Sequence, residues 1–334
     1  MAGESTLSKT YTDLATTTFE NVANSGKLWD IVFENNVILN KFRELGMTRE
    51  IAGGERLSGG VMDKKPTTRS YTGTEELPVT IANIGTRWFL SPKLYATPVG
   101  ISGDDMTSNR GPEAFVNMLT ERIENGALES ADAVAGDIAE DDGTGNSGKN
   151  ITGFPAMMPS DPTTGTYAQI NSATNTKWRS TSKTSVGSVA TAGVASLRTL
   201  YNDIGKTGTR EGSMFPDIAF TEQAIHEAYE ALLLPRMRIQ DGGATVMDGN
   251  LGNGRVFYKG MEIVWAPQIT TTGVLFAMAS AAVDLTIYRD RNFEMDDVGL
   301  QKPVNQDARI GQIFFKGNLV TYGRNKTGSQ RGLS

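Results

Sequence analysis

The sequence predicts an α+β fold in roughly two domains. A long amphipathic helix fills the stretch 111–142, helices and strands alternate from about residue 190, and a long strand closes the chain over 308–324. At 334 residues the chain has room for about two domains of ~150 residues each, with cores that need no disulfide or metal staple.

Residues 10–45 are helix-prone. Within "KLWDIVFENNVILNKFREL", Leu28, Ile31, Val32, Asn35, Ile38, Leu39, Phe42 and Leu45 recur at steps of three and four, an amphipathic helix stopped by Gly46. It packs either on its own domain or, as a terminal arm, on a neighbouring subunit. Residues 50–103 are rich in Gly, Thr and Pro, and their strand-like pieces are only half apolar. Lys64, Lys65, Arg69, Arg87 and Lys93 mix there with Glu55, Asp63, Glu75 and Glu76. A segment of this length without a core-grade pattern seldom lies inside a compact domain. It reads as disorder or as a long projecting hairpin ordered by partners. Tyr71, Trp88, Phe89 and Tyr95 favour the hairpin, since disordered segments are poor in aromatics.

Pro112 and Glu113 open the long helix, where a helix N-terminus favours both. Phe115, Leu119, Ile123, Ala127, Ala131, Val134 and Ile138 form one stripe along about 45 Å. The other face is acidic, with Glu113, Glu121, Glu124, Glu129, Asp132, Asp137, Glu140, Asp141 and Asp142 opposed only by Arg122; it reads as a solvated face, or as one turned to something anionic that must be kept from sticking. Next, "GVASLRTLYNDIG" reads as a helix and "FPDIAFT" as a buried strand. "TEQAIHEAYEALLLP" reads as a helix capped by Thr221 and stopped before Pro235. "QDGGATVMDGNLGNGR" is a glycine-rich loop, and "VFYKGMEIVWAP" and "GVLFAMAS" are strands. In the closing strand Ile313, Phe315 and Leu319 share a face, and Gly317 marks a bulge or a close backbone approach.

Composition narrows the chemistry. No cysteine is present, which removes thiolate metal sites, disulfides and cysteine nucleophiles and fits a reducing cytoplasm. The net charge of −6 disfavours avid nucleic-acid binding, which needs a basic excess. No apolar run suits a signal peptide or a membrane helix, so no membrane partner is expected.

Gly143 to Lys149 fits most of the phosphate-cradling pattern G-x-x-x-x-G-K. Three requirements fail. The hydroxyl residue is replaced by Asn150, a helix precedes the loop where a strand should, and Asp141 and Asp142 would repel a triphosphate. Gly143, Gly145 and Gly148 read instead as a hinge between a long helix and the next domain. The single histidine, His226, lies mid-helix without a second imidazole for a zinc site, and no G-x-S-x-G elbow is present. "MDGNLGNGR" lacks calcium-loop spacing. No catalytic, cofactor or metal residues are assigned, and the chain is expected not to be an enzyme.

The order of parts resembles the major capsid proteins of tailed bacteriophages, the Hong Kong 97-like fold. The resemblance is carried by "GGERL" at 53–57, "ISGDDMTSNRGPEAFVNMLTERIE" at 101–124 and "SGKNITGFPAMMPSDPTTGTYAQINSATNTKWRS" at 147–180, within a match from about 28 to 322. It implies an N-arm over 1–49 and an extended E-loop hairpin with its stem over 50–103, lying over the next subunit. It further implies a peripheral domain with its spine helix over 104–150 and an axial domain over 151–285. Residues 286–334 would return to the peripheral domain and form the C-terminal tail. Arg69, Glu75, Glu76, Arg87 and Trp88 are the implied inter-subunit contacts.

The implied function is a shell of hexamers and pentamers that encloses double-stranded DNA without binding it specifically. Assembly would take place in the host bacterial cytoplasm and the product would be the virion capsid. The N-terminal region lacks room for a fused scaffold, so separate scaffolding and portal proteins, with or without decoration proteins, are the expected partners. The Lys–Asn cross-link of some family members has no matching motif here. Two alternatives stay open: an encapsulin-like nanocompartment shell, and a nucleotide-binding enzyme using the 143–150 loop and Lys149.

Overall fold

The computed structural model describes residues 36–62, 68–76, 85–108, 112–206, 214–237, 249–250, 255–295 and 300–334. The chain begins with α1 (Val37–Glu44), β1 (Thr48–Ile51), β2 (Leu57–Met62), β3 (Gly85–Leu90), β4 (Lys93–Ser102), α2 (Gly103–Ser108) and the long α3 (Pro112–Glu140). There follow α4 (Phe154–Met157), β5 (Thr166–Tyr167), β6 (Ile170–Asn171), β7 (Thr181–Lys183), α5 (Val194–Lys206), β8 (Ile218–Thr221) and α6 (Gln223–Met237). The last part holds β9 (Gly249–Asn250), β10 (Arg255–Tyr258), β11 (Met261–Trp265), β12 (Val274–Met278), β13 (Val283–Met295), β14 (Ala308–Thr321) and β15 (Thr327–Arg331). These elements gather into two compact units, each assembled from separate stretches of chain.

The first unit takes residues up to Gly53, Lys93–Thr152 and Leu285–Asn318. Its sheet runs β1-β13-β14-β4, with β1 parallel to β13 and β14 antiparallel to β4 from Ala308↔Ser102 to Gly317↔Lys93. Alternation along β4 and β14 puts Val99, Ile101, Ile313 and Phe315 in the core, where α3 packs. The helix answers with Leu119, Ile123, Ala127, Ala131, Val134 and Ile138, all buried, which is the stripe that the 3.6-residue period requires. Phe115 lies outside the residues whose side chains are described. Asn36 caps α1, its Oδ1 accepting from the Ile38 and Leu39 amides at 3.1 and 3.3 Å, while its Nδ2 donates to Asp132 at 3.0 Å. The helix ends at Gly46 with φ +68°, as its sequence suggests; the expected helical run before Asn36 lies outside the described residues.

The second unit takes Gly54–Pro92, Gly153–Asp284 and Leu319–Ser334 around a seven-stranded sheet, β7-β15-β12-β8-β11-β10-β9. On one face α5 and α6 bury Leu197, Leu200, Ile204, Ile225 and Tyr229 against Ala219, Ile263, Leu275 and Ala277. The alternate residues Phe220 and Phe276 pack on Phe154 of α4, with ring centroids 5.6 and 5.5 Å apart. Arg324, 2% exposed, holds three stretches of chain together. It donates to the Met157 carbonyl (2.8 Å), the Ser172 hydroxyl (2.8 Å) and the Ala156 carbonyl (3.1 Å), under the Tyr167 ring. Burial lowers its pKa to about 10.

Several sequence expectations are corrected. Thr221 does not cap α6; it is the last residue of β8, and its hydroxyl donates to the Val274 carbonyl at 2.8 Å. α6 passes through Pro235 to Met237, because a proline in the last turn removes a single backbone bond. "ITGFPAMMP", which its Pro155 and Pro159 make a poor helix in sequence, nonetheless holds a one-turn helix with Pro155 in its first turn, where the missing N–H costs nothing. Residues 286–334, grouped together from the sequence, divide after Asn318, since β15 pairs with β12 and β7 in the second unit. Residues 50–103 divide likewise: the β2–β3 hairpin belongs to the second unit and β4 to the first.

At Gly317 a Cβ would lie 2.5 Å from the Thr286 carbonyl oxygen, the close approach that the sequence suggested. Gly317→Ala must push two paired strands apart. We expect a loss of at least about 2 kcal/mol in chemical denaturation, and an unchanged midpoint would refute the close packing.

Candidate assembly surface and glycine joint

Among the described residues β2 and β3 pair only with each other, from Leu57↔Leu90 to Met62↔Gly85. A two-stranded hairpin is marginal in water without a further layer. At its base the hairpin is anchored within its own unit. The Phe89 amide donates to the Ala168 carbonyl at 3.1 Å. The Trp88 ring lies over Gly59, where a Cβ would sit 2.5 Å from it, and meets Tyr322 edge-on at 6.1 Å. The accepting carbonyl belongs to a tight turn in which Ala168 and Gln169 both hold positive φ, 51° and 66°. Away from the base the hairpin loses cover: Met62 is 68% exposed and Tyr71 60%.

The expected contact residues fall into three groups. Arg69 and Glu75 meet at 3.4 Å on the surface of the connecting segment. Glu76 and Arg87 are exposed, Arg87 facing Gly60 across the ribbon. Trp88 is 2% exposed and braces the hairpin inside its own chain. Its large ring reads as a contact residue in sequence, but the matching glycine on the paired strand gives it a seat at home.

The glycine joint is tightly bonded. Gly143 and Gly148 take φ +84° and +79°, and Asn146 and Ser147 join them in the left-handed region at 46° and 58°. Asp141 Oδ1 accepts from the amides of Gly143 (2.6 Å) and Gly145 (3.3 Å), and Asp141 Oδ2 accepts from Asn150 Nδ2 (2.8 Å). Asp142 Oδ1 accepts from the Thr144 amide at 2.9 Å, and Lys93 donates to the Gly148 carbonyl. The amides of Gly143 and Gly145, which a phosphate loop would turn toward its ligand, therefore serve the chain's own carboxylate. Lys149 is exposed.

Sequence reasoning missed the residues that fasten this joint to α3 and β4. Tyr95 donates its hydroxyl to Asp137 Oδ2 at 2.5 Å and accepts from the Ile151 amide at 2.8 Å. Asn150 Nδ2 also reaches Asp137 Oδ1 at 3.4 Å. Partial burial raises the Asp137 carboxyl above its ordinary range; the Tyr95 hydrogen bond pulls it back and the Asp141 charge pushes it up. Burial, then the bond to Asp137, raise the Tyr95 hydroxyl. The overlooked signal was two aspartates four apart at a helix C-terminus, where the helix dipole disfavours negative charge. Among the described residues no cluster of three or more His, Asp or Glu could hold a metal ion, and no helix is long and apolar enough to cross a membrane.

No family model and no curated protein matches the chain. Solved structures do. The capsid asymmetric unit of cyanophage A-1(L) has a TM-score of 0.63 at 14% identity, over 87% of this chain and 92% of the other. The capsid of the Myoviridae phage XM1 has a TM-score of 0.57 at 9% identity, over 88% and 92%. The capsid of an empty GTA particle has a TM-score of 0.55 at 11% identity, over 87% and 95%. The chain has the α+β, Hong Kong 97-like fold of these capsid proteins.

The joint has a titration signature. With its pKa raised above 3.8, Asp137 binds more protons folded than unfolded, so its contribution to stability falls as pH rises through that window and stays low at neutrality. We expect Asp137→Asn to gain most over the parent at pH 7 and to lose that gain toward pH 3.8 in thermal melts across pH. A difference independent of pH would contradict this.

Proposed function

We propose that the chain is a major capsid protein, which self-assembles into the icosahedral shell of a tailed bacteriophage. The observation that carries the reading is a separate β2–β3 hairpin whose far end stands in solvent, with Met62 68% exposed, in a fold shared with solved phage capsids. A closed shell supplies the missing cover in every copy through repeated heterologous contacts. In this reading β2–β3 and the segment between them are the E-loop, α3 is the spine helix of the peripheral domain, and the seven-stranded unit is the axial domain. Gly143, Gly145 and Gly148 would form the joint by which α3 hands over to that domain.

The shell would form in the host cytoplasm from hexamers and pentamers, with separate scaffolding and portal proteins. It would enclose double-stranded DNA without specific binding. The net charge of −6 suits a wall that should not hold its genome tightly. The role is structural rather than catalytic: the one loop that resembles a nucleotide site spends its amides on Asp141.

Expression with the scaffolding partner should give closed particles in negative-stain electron microscopy, and a strictly monomeric product would overturn the reading. Glu76→Lys and Arg87→Glu should cut particle yield severalfold while moving the melting temperature of the subunit by no more than a surface charge does, about 0.5 kcal/mol in stability. Equal particle yield would remove these two residues from the contact. Loss of folding would show that they act inside the chain.

A further inference from the structure

The seven-stranded sheet has two chemically opposite ends. At one end, where Trp265, Thr221 and Leu275 stand in register, the first turn of α6 and the chain after β11 form an open groove of about 460 Å³. Glu222, Glu227, Trp265, Pro267 and Ile269 line it. Trp265 is 43% exposed, a large aromatic left in solvent. Gln223 Nε2 donates to Glu227 Oε1 at 2.8 Å and steadies that carboxylate; Glu222 accepts from the Gly273 amide. The groove thus offers an apolar wall, an aromatic face and two carboxylates, the surroundings that suit a lysine or arginine side chain: stem on the wall, head between ring and acid.

At the other end β10 turns into β11 through Lys259 and Gly260, with φ of 50° and 87°, a two-residue hairpin that carries Lys259 outward at its tip. Lys259 is exposed, its ammonium 5.5 Å from the Tyr201 ring centroid and 5.8 Å from that of Tyr258. The Tyr201 hydroxyl donates to the Lys259 carbonyl at 3.1 Å, which fixes the tip. Phe215, 44% exposed, stacks on Tyr201 at 5.0 Å and extends the patch. A cation on an aromatic base therefore stands at one end and an anionic aromatic groove at the other.

We propose that Lys259 of one copy seats in the Glu222–Glu227–Trp265 groove of a second copy, so that these domains join head to tail. A contact between two different patches of the same molecule is heterologous, and its repetition closes a ring when the rotation per step allows. Charge complementarity names the occupant: within the second unit, this groove and this tip carry opposite sign, and the groove has the apolar wall that a lysine stem needs. The contact rests on the shell reading and adds to it a specific pair of surfaces.

The absence of cysteine makes the test clean. A Lys259→Cys, Glu227→Cys double variant, treated with a short bismaleimide that spans a lysine–carboxylate contact, should give a ladder of covalent oligomers, since a direct disulfide is shorter than the two side chains it would replace. Trp265, which lines the groove with Glu227, stands about 13 Å along β11 from Met261 beside the tip, and any bridge within one chain would leave a single band in place of a ladder. Lys259→Glu and Glu227→Lys should each lower the assembled fraction at least about tenfold, and the double charge swap should restore it. Closed particles without a ladder would keep the shell and sink the contact. A ladder from subunits that never close into particles would keep the contact and sink the shell, and neither would sink both. Normal assembly of the single reversals, or a double swap that fails to recover, would also overturn the contact.

Discussion

The antiparallel pairing of Ala308–Gly317 with Lys93–Ser102 is the constraint on which both units depend. It joins strands roughly two hundred residues apart in sequence, so its loop-closure cost must be met before any of its bonds can form. Once made, it gives α3 a surface to cover and places the start of β14 in the first unit. Just past the pairing, the same strand belongs to the second. The chain passes between units at Gly53, Pro92, Thr152, Asp284 and Asn318, and no unit is a continuous piece of sequence. Neither unit can complete its sheet until the last strands, β14 and β15, exist.

The phosphate-loop likeness at Gly143–Lys149 is instructive because the same residues serve two physical ends. A nest of amides with left-handed glycines binds an anion wherever the anion comes from. Here it comes from Asp141, one helical turn beyond Asp137, and the bond closes α3 instead of recruiting a ligand. Two carboxylates at the negative end of a helix would be costly alone. Tyr95, Asn150 and the loop amides compensate with donors from three directions, which is why the loop is ordered despite its glycine content.

Legibility in the sequence followed the range of the physics. The stripe on α3, the buried β8 and the alternation of β14 are local periodicities, and they could be read. The close approach at Gly317 could also be read, since a glycine inside an apolar strand gives up side-chain packing and so marks a place where another backbone comes near. Thr221 was misplaced because a hydroxyl before a helix and a hydroxyl ending a strand look alike until the Val274 carbonyl is known. Trp88 looked like an interface residue because its partner, Gly59, is distant in sequence and has no side chain to announce the pairing. The aspartates of the joint were counted into a solvated face for a similar reason: Tyr95 lies on another element. Lys259 and Trp265 carry no sequence signal at all, since each matters only by the end of the sheet on which it stands.

In the proposed shell, a subunit of this design would leave stabilisation to its neighbours. The chain has no cysteine, so oxidation cannot lock its contacts, and surface ion pairs such as Arg69–Glu75 contribute little on their own. What remains is area: a hairpin with Met62 and Tyr71 in solvent, and an aromatic left uncovered at each end of the larger sheet. Small, repeated contacts of this kind are individually weak and reversible, which lets misplaced copies leave during assembly. A closed shell makes them collectively strong, because removing one copy must break all of its contacts at once. The exposed apolar surface that would be a liability in a monomer would then be the source of order in the proposed assembly.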